Sequence, residues 1–262
     1  MANKSKGRGG NGPQRLSPSY RLPALDQDFL LSDGMRGVRF QLEYAKAEEA
    51  LRAHGIRSTI VVFGSARVSE RGNAQRRRWY AQAREFAHIA SERGGALFPN
   101  NGVHDNVIAT GGGPGIMEAA NRGAADAGAH SIGFNIQLPH EQTPNKYSTP
   151  ELTFQFHYFA MRKMHLAMRA NALVIFPGGL GTLDEMFEVL TLHQTGKVAR
   201  LPVVLFDKAY WMKVISFEAL LDADMIERQD LKLFEYADTA EEIWAKLMAA
   251  GMPIAAKGTT MK

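Results

Sequence analysis

The chain has 262 residues, of which 45% are apolar and 22% are charged, a composition typical of a globular protein with a full hydrophobic core. It contains no cysteine, which excludes disulfides, a cysteine nucleophile and cysteine-ligated zinc and favours the reducing cytoplasm. No apolar run approaches the roughly 18 residues of a membrane span, and the basic N-terminus lacks the apolar segment of a secretory signal, so we expect no membrane partner.

The positive charge of the chain lies at its N-terminus. Residues 1–25 contain five lysines and arginines and no acidic residue, whereas the whole chain has a net charge of only +4, which leaves −1 for residues 26–262. A Gly-, Lys- and Arg-rich segment of this kind is typical of a disordered tail. We therefore predict a disordered basic tail over 1–25 and a single domain over 26–262, whose charge disfavours a nucleic-acid partner.

From residue 58 onward, short apolar strands alternate with helical segments. The predicted strands are 58–63, 106–110, 130–136, 172–176, 202–206 and 231–236, and the predicted helices are 33–54, 74–93, 116–127, 158–170, 182–194, 209–221 and 240–249. Continuously apolar strands separated by helices indicate a parallel sheet with helices on both faces. We therefore predict an α/β, Rossmann-like fold, with a long functional loop at 137–150 that contains three prolines.

Two predicted strands lead directly into glycine-rich loops that are followed by helices, GGGPG at 111–115 and PGGLGT at 177–182. Glycine lets the backbone approach a ligand closely, and a helix start offers free N–H groups. The loops therefore predict a phosphate site, although a tight turn without a ligand is the alternative for each. The predicted phosphate-binding residues are Gly112, Gly113, Gly115, Gly178, Gly179, Gly181 and Thr182, the last as a helix N-cap.

Other nucleotide motifs fit these loops poorly. No lysine follows the last glycine of either loop, as a P-loop requires. Ile116 stands where the dinucleotide fingerprint G-x-G-x-x-G needs its last glycine. A kinase and an NAD-dependent dehydrogenase are both disfavoured. The eight histidines form no H-E-x-x-H pair, and we predict no metal site.

Several charged residues accompany the loops. Glu185 lies three residues after Thr182, a spacing that leaves open whether it closes a capping box or faces the sugar of a ligand. Glu118 is placed similarly after the first loop. Arg162 and Lys163 lie in the Met-rich helix that precedes the strand of the second loop, where a charged pair would ordinarily point to water.

The helix predicted at 158–170 is apolar around most of its surface. Its apolar side chains include Phe159, Met161, Met164, Leu166 and Met168. A helix that is apolar all round must be buried by something. We therefore predict a homodimer that uses this helix and has its site close to the interface.

At these motifs the chain resembles the LONELY GUY family, the cytokinin-activating phosphoribohydrolases that are often mislabelled as lysine decarboxylases. The resemblance rests on GGGPGIMEAANRGA at 111–124, the Arg–Lys pair at 162–163 and PGGLGTLDE at 177–185, together with FGSAR at 63–67. It covers roughly residues 58–206. The resemblance implies a Rossmann-like homodimer without a cofactor that hydrolyses the N-glycosidic bond of nucleoside 5′-monophosphates.

The resemblance also implies roles for particular residues. Arg162 and Glu185 match the catalytic pair, and Gly178, Gly179, Gly181 and Thr182 match the phosphate-binding loop. Glu141, in the proline-rich loop, matches an acid that contacts the nucleotide, and we place Glu118 and Lys163 with it among the substrate-binding residues. About 55 N-terminal residues depart from the shorter members and resemble longer bacterial ones, so AMP and cytokinin riboside monophosphate are both candidate substrates.

Two other functions compete with this one. A non-catalytic nucleotide or molybdopterin carrier would share the glycine loops, but the presence of both Arg162 and Glu185 favours the enzyme. A pyridoxal-phosphate-dependent lysine decarboxylase would need Lys163 as its Schiff-base residue, and no pyridine-anchoring pattern accompanies that lysine.

Overall fold

A computed structural model of the chain describes residues 11–139, 143–198 and 201–254. Contacts between Cα atoms divide the chain into two compact units, with the boundary between Ala45 and Lys46. None of the helices in the described ranges has the length and the apolar character that crossing a membrane requires.

The first unit consists of short helical segments. They are α1 (Gly12–Leu16), α2 (Gln27–Leu31), the start of α3 (Arg36–Ala53), and 3-10 turns at Pro18–Tyr20, Pro23–Leu25 and Asp33–Met35. The carboxylate of Asp26 caps α2 by accepting a hydrogen bond from the Phe29 N–H at 3.3 Å. The division into a disordered tail over 1–25 and a single domain over 26–262 stays a prediction.

The second unit is built on a parallel sheet of seven strands. The strands are β1 (Thr59–Phe63), β2 (Val107–Thr110), β3 (Ser131–Ile136), β4 (Thr153–Phe156), β5 (Ala170–Ile175), β6 (Val203–Phe206) and β7 (Glu235–Ala237). Their order in the sheet is β4-β3-β2-β1-β5-β6-β7, and every pair of neighbours is parallel. The helices are α4 (Ala74–Arg93), α5 (Ile116–Asp126), α6 (Phe159–Met168), α7 (Leu180–Gln194), α8 (Lys208–Val214), α9 (Phe217–Asp222) and α10 (Ala240–Ala249).

Each face of the sheet has its own hydrophobic core. Alternate strand residues point to opposite faces, so Ile60 and Val62 of β1 pack with α4, α5 and α10, whereas Val61 and Phe63 pack with helices that include α6 and α7. Full burial of one such side chain contributes roughly 1.5–3 kcal/mol. The two cores explain why the strands are apolar at nearly every position, and the predicted α/β Rossmann-like class is confirmed.

Apart from shifts of one to three residues at element ends, the structure differs from the predicted elements in three places. The edge strand β4 was not predicted, because its four residues alternate between buried and exposed side chains and form too short a pattern. The helix predicted at 209–221 is two helices, since the hydroxyl of Ser216 accepts from the Ala219 N–H and starts α9 as a separate element. The strand predicted at 231–236 begins instead at Glu235, after a 3-10 turn over Arg228–Lys232.

The strand order reverses between β1 and β5, and this reversal places the site. The chain leaves β1 toward α4 on one face of the sheet and leaves β5 toward α7 on the other. The two loops therefore diverge and leave a crevice at the carboxyl ends of the strands, where open α/β sheets bind ligands. The Ser65 N–H donates to the Pro177 carbonyl at 3.0 Å and joins the two loops at their start.

Candidate active site

A cavity of about 880 Å³ opens at this reversal point. Its walls come from the loops after β1 and β5, the ends of β2 and β3, and the helices α4, α6, α7 and α8. All of these elements belong to the second unit. Within the described residues, no three acidic or histidine side chains are grouped so that they could hold a metal ion.

The loop after β5 forms one part of the cavity wall. Gly178, Gly179, Gly181 and Thr182 all line it. Helix α7 begins at Leu180 with Gly179 as its N-cap, and no side chain caps it. The backbone N–H groups of Leu180 and Gly181 have no acceptor in the described part of the chain. Free N–H groups and the positive end of a helix favour an anion here.

The prediction that Thr182 is the N-cap of this helix is wrong. The helix starts two residues earlier, because glycine rather than a hydroxyl residue occupies the N-cap and lets the chain turn close to the ligand site. Thr182 is a buried residue of the first turn, and a Cβ at Gly178 would overlap its side chain. The capping box between Thr182 and Glu185 is therefore excluded. The glutamate at position 185 is not explained by a role in capping the helix.

Glu185 lies in the second turn of α7 and lines the cavity, with only 7% of its surface exposed. Burial raises the pKa of Glu185 to about 7, against the opposing charges of Arg162 and Lys163. Its carboxylate forms no hydrogen bond and no ion pair with any residue that the structure describes. A buried, unpaired carboxylate in a cavity is a candidate functional group.

Arg162 comes from the first turn of α6 and faces the same cavity. Its Nε atom is buried and has no hydrogen-bond partner among the described residues. Burial lowers the pKa of Arg162, and the negative charge of Glu185 opposes this shift. The two side chains are close enough to influence each other, yet they form no ion pair, so both remain available to a ligand.

The first glycine loop contributes to the site indirectly. Gly111 lines the cavity, and a Cβ at this position would overlap the guanidinium of Arg162 and the sulfur of Met117. Glycine is needed there so that Arg162 can reach its place. Gly112 packs against Asn135 with a φ of +70°, and Gly115 packs against the backbone at Ser65 with a φ of +76°.

Several predicted binding residues are not in the cavity wall. Gly112, Gly113 and Gly115 do not line the cavity, and Asn145 donates to the Gly112 and Gly113 carbonyls at 3.1 Å each. These glycines allow close packing of the loop. Glu118 accepts from the Tyr80 hydroxyl at 2.9 Å and is not part of the cavity lining.

Lys163 is also not part of the cavity wall, although its partner Asp184 is. Its Nζ atom lies 2.7 Å from the carboxylate of Asp184 and 2.8 Å from that of Glu188. Burial alone would lower the pKa of Lys163, but these two partners raise it above the ordinary value. A Schiff-base lysine must be neutral and reach its substrate, so this geometry disfavours the decarboxylase alternative. Glu141, the remaining predicted residue, lies outside the described residues.

The sequence analysis missed two aromatic residues of the cavity wall. Trp79 comes from α4 and Tyr210 from α8. The Tyr210 hydroxyl donates to the Gly178 carbonyl at 2.6 Å, so it touches the glycine loop after β5, the predicted phosphate loop. No sequence signal identified Tyr210, because β6, the strand before α8, has no glycine loop after it.

The fold and the cavity define a Rossmann-like α/β protein with a cavity where the strand order reverses. A family model described as "Possible lysine decarboxylase" matches residues 117–247, which is half of the chain. The chain belongs to this family, which is the LONELY GUY family of phosphoribohydrolases.

Curated relatives carry names from the same family. The probable cytokinin riboside 5′-monophosphate phosphoribohydrolase LOG4 of Oryza sativa subsp. japonica is 28% identical over 149 residues, which cover 55% of this chain and 63% of the relative. The phosphoribohydrolase LOG3 of Arabidopsis thaliana is 29% identical over 146 residues, covering 54% of this chain and 66% of the relative. The matches thus span slightly less than two thirds of these relatives.

A solved structure shares the fold. The X-ray structure of the structural genomics target TM1055 superposes with a TM-score of 0.53 and 22% sequence identity. The superposition covers 73% of this chain and 99% of that chain. At this identity the likeness supports the fold alone.

Proposed function

We propose that this chain hydrolyses the N-glycosidic bond of a nucleoside 5′-monophosphate, AMP or a cytokinin riboside monophosphate, to give the free base and ribose 5-phosphate. One observation carries the proposal. The open N–H groups at the start of α7 share a cavity with a partly buried cation, Arg162, and a buried carboxylate, Glu185, that do not pair with each other. The names of the curated relatives support the same reaction and substrate class.

The cavity has the groups that this reaction needs. The bond between C1′ and the base nitrogen breaks, its electron pair leaves with the base, and water adds a hydroxyl group to C1′ while the base gains a proton. The sugar becomes oxocarbenium-like on the way. The negative charge of Glu185 stabilises that cation or orients the water, and Arg162 contacts the phosphate or assists the departing base.

We expect the monophosphate to be a far better substrate than the nucleoside. Hydrogen bonds to a charged group contribute about 1.5–3 kcal/mol each, so two amide contacts at the phosphate loop correspond to at least about a hundredfold in kcat/KM. The measurement compares base release from AMP and from adenosine. Equal rates for the two compounds would contradict the phosphate site, and a panel of nucleoside monophosphates would identify the preferred base.

The same assay separates the enzyme from a non-catalytic carrier. A nucleotide or molybdopterin carrier would bind its ligand and release no base. The two cavity residues favour catalysis, because a carrier has no need of a buried carboxylate whose ionisation is disfavoured. A cytoplasmic location is part of this proposal and rests on the cysteine-free sequence.

We further propose a homodimer that buries the outer surfaces of α6 and α7. In α6, Leu166 is buried within the chain, whereas 53% of Phe159 and 48% of Met168 stay exposed. Phe187 of α7 adds a further exposed aromatic side chain. Apolar side chains clustered on neighbouring helices are typical of a protein interface.

Light scattering at micromolar concentration should therefore give twice the 28.9 kDa mass of one chain. The variant Phe187→Lys should shift this mass toward that of the monomer, because a charge would be buried in the interface. The control is Phe98→Lys, at an exposed position in the loop before β2, which should leave the mass unchanged. A monomeric wild-type protein would exclude the dimer.

A further inference from the structure

A buried carboxylate organises the end of β6. Asp207 follows this strand, is 4% exposed and has a left-handed backbone with a φ of 68°. Its carboxylate accepts from the Tyr210 N–H at 3.1 Å, which starts α8, and from the Trp79 Nε1–H at 2.7 Å. One acidic side chain thus holds both Trp79 and the start of the helix that carries Tyr210.

The two aromatic rings support each other. Trp79 and Tyr210 meet edge to face, with 5.5 Å between the ring centroids, an arrangement that contributes about 0.5–1.5 kcal/mol beyond area burial. Because its ring and its backbone are both held, Tyr210 has little freedom to move its hydroxyl. That hydroxyl donates to the Gly178 carbonyl at 2.6 Å.

This hydrogen bond has a geometric consequence for the phosphate loop. The peptide between Gly178 and Gly179 is trans, so its carbonyl and its N–H point in opposite directions. Holding the Gly178 carbonyl toward Tyr210 therefore sets the direction of the Gly179 N–H. Without that contact the peptide between two glycines could rotate, because glycine tolerates many backbone conformations.

We propose that Tyr210 is a positioning residue of the phosphate loop. It holds the peptide at the N-cap of α7 so that the amide groups following it are presented to the phosphate before the ligand arrives. Asp207 and Trp79 hold Tyr210 in turn. The identity of the ligand as a nucleoside monophosphate rests on the proposed function, whereas the role of Tyr210 concerns any phosphate at this loop.

The test is Tyr210→Phe, which removes the hydroxyl and keeps the ring against Trp79. We expect KM for AMP to rise about tenfold with kcat nearly unchanged, so that kcat/KM falls about tenfold. Loss of one well-placed hydrogen bond from the loop to the charged phosphate corresponds to about this factor. Cleavage of adenosine should not change, since adenosine has no phosphate. The affinity for ribose 5-phosphate, measured by calorimetric titration, should fall about tenfold as well.

The matched control is Tyr236→Phe, at a half-buried tyrosine of β7 outside the cavity wall. It should leave the affinity for ribose 5-phosphate and both activities unchanged. Wild-type affinity for ribose 5-phosphate in Tyr210→Phe would overturn the positioning role. An equal loss on AMP and adenosine together with a lower Tm would overturn it too, since that pattern indicates general structural damage.

Different measurements test the hydrolase activity and the positioning role of Tyr210. If the wild-type protein releases no base from any monophosphate, the hydrolase is excluded. The titration with ribose 5-phosphate still decides the role of Tyr210 in that case, because it measures binding alone.

Discussion

Replacing Glu185 with glutamine is expected to cut the turnover of AMP at least about a hundredfold, which corresponds to roughly 2.7 kcal/mol of transition-state stabilisation. The residue lies in the second turn of α7 and cannot act as a helix cap. Glutamine keeps the shape of the side chain and removes only its charge. Affinity for AMP should therefore change little, and single-turnover base release beside equilibrium binding is the decisive measurement.

The pH dependence of the wild-type enzyme gives the same test without a mutation. With a pKa of about 7, Glu185 loses its proton as the pH rises through neutrality. If the ionised carboxylate stabilises the sugar cation, kcat/KM rises with pH and levels off above about 7. A decline over the same range would instead assign Glu185 as the acid that protonates the base. In the glutamine variant, kcat/KM should not change with pH over this range.

Stability should respond to pH in the opposite sense to activity. The folded chain holds the proton of Glu185 more tightly than the unfolded chain, so ionisation costs stability as the pH rises from about 4.5 toward 7. Glutamine has no such cost. The Tm of Glu185→Gln should therefore increase relative to the wild type between pH 5 and pH 8.

Glu188→Gln is the matched control, because it makes the same chemical change one turn further along α7. Glu188 pairs with Lys163 outside the cavity wall, and Asp184 remains as a partner for that lysine. Turnover should stay near that of the wild type. Since Glu188 contributes to raising the pKa of Glu185, the rise of kcat/KM with pH should occur at slightly lower pH in this variant. Near-normal turnover in Glu185→Gln would remove the proposed carboxylate from the mechanism.

The second large effect is expected at Arg162. Replacement by methionine keeps an unbranched side chain and removes the guanidinium from the cavity. We expect kcat/KM for AMP to fall about 10² to 10³-fold, as when one charged hydrogen-bond donor to the transition state is lost. Because Arg162 lowers the pKa of Glu185, its loss should also shift the rise of kcat/KM to higher pH.

Gly111→Ala should displace the same guanidinium by placing a methyl group against it. The new methyl group would meet the tip of Arg162 and the sulfur of Met117, which are both ends of flexible side chains. The fold should therefore survive while the guanidinium is displaced, and activity should fall with little change in Tm. Gly37→Ala in α3, where a Cβ meets nothing within 4 Å, is the control. Full activity in Gly111→Ala and in Arg162→Met would show that the cavity does not use the arginine.

The sequence by itself determined the sheet and the glycine loop that lines the cavity. Strands that are apolar at every position can only be buried on both faces, so the pattern indicated a doubly covered parallel sheet before any contact was known. The helix α4 was predicted with its observed bounds from its apolar spacing and the glycine at 94 that ends it, and the structure adds that Asn73 caps its start. PGGLGT after a buried strand likewise identified the loop whose residues line the cavity.

Only the tertiary structure decided what each charged or glycine residue does. Glu118 and Glu185 occupy similar places in sequence, yet one is bonded to Tyr80 and the other is buried in the cavity. The glycines of the first loop allow close packing and leave space for Arg162, because their neighbours come from distant segments. Tyr210 reaches the phosphate loop from the next strand of the sheet. Local patterns specify backbone conformation, whereas burial and contact depend on which strands become neighbours, and that is a property of the folded sheet.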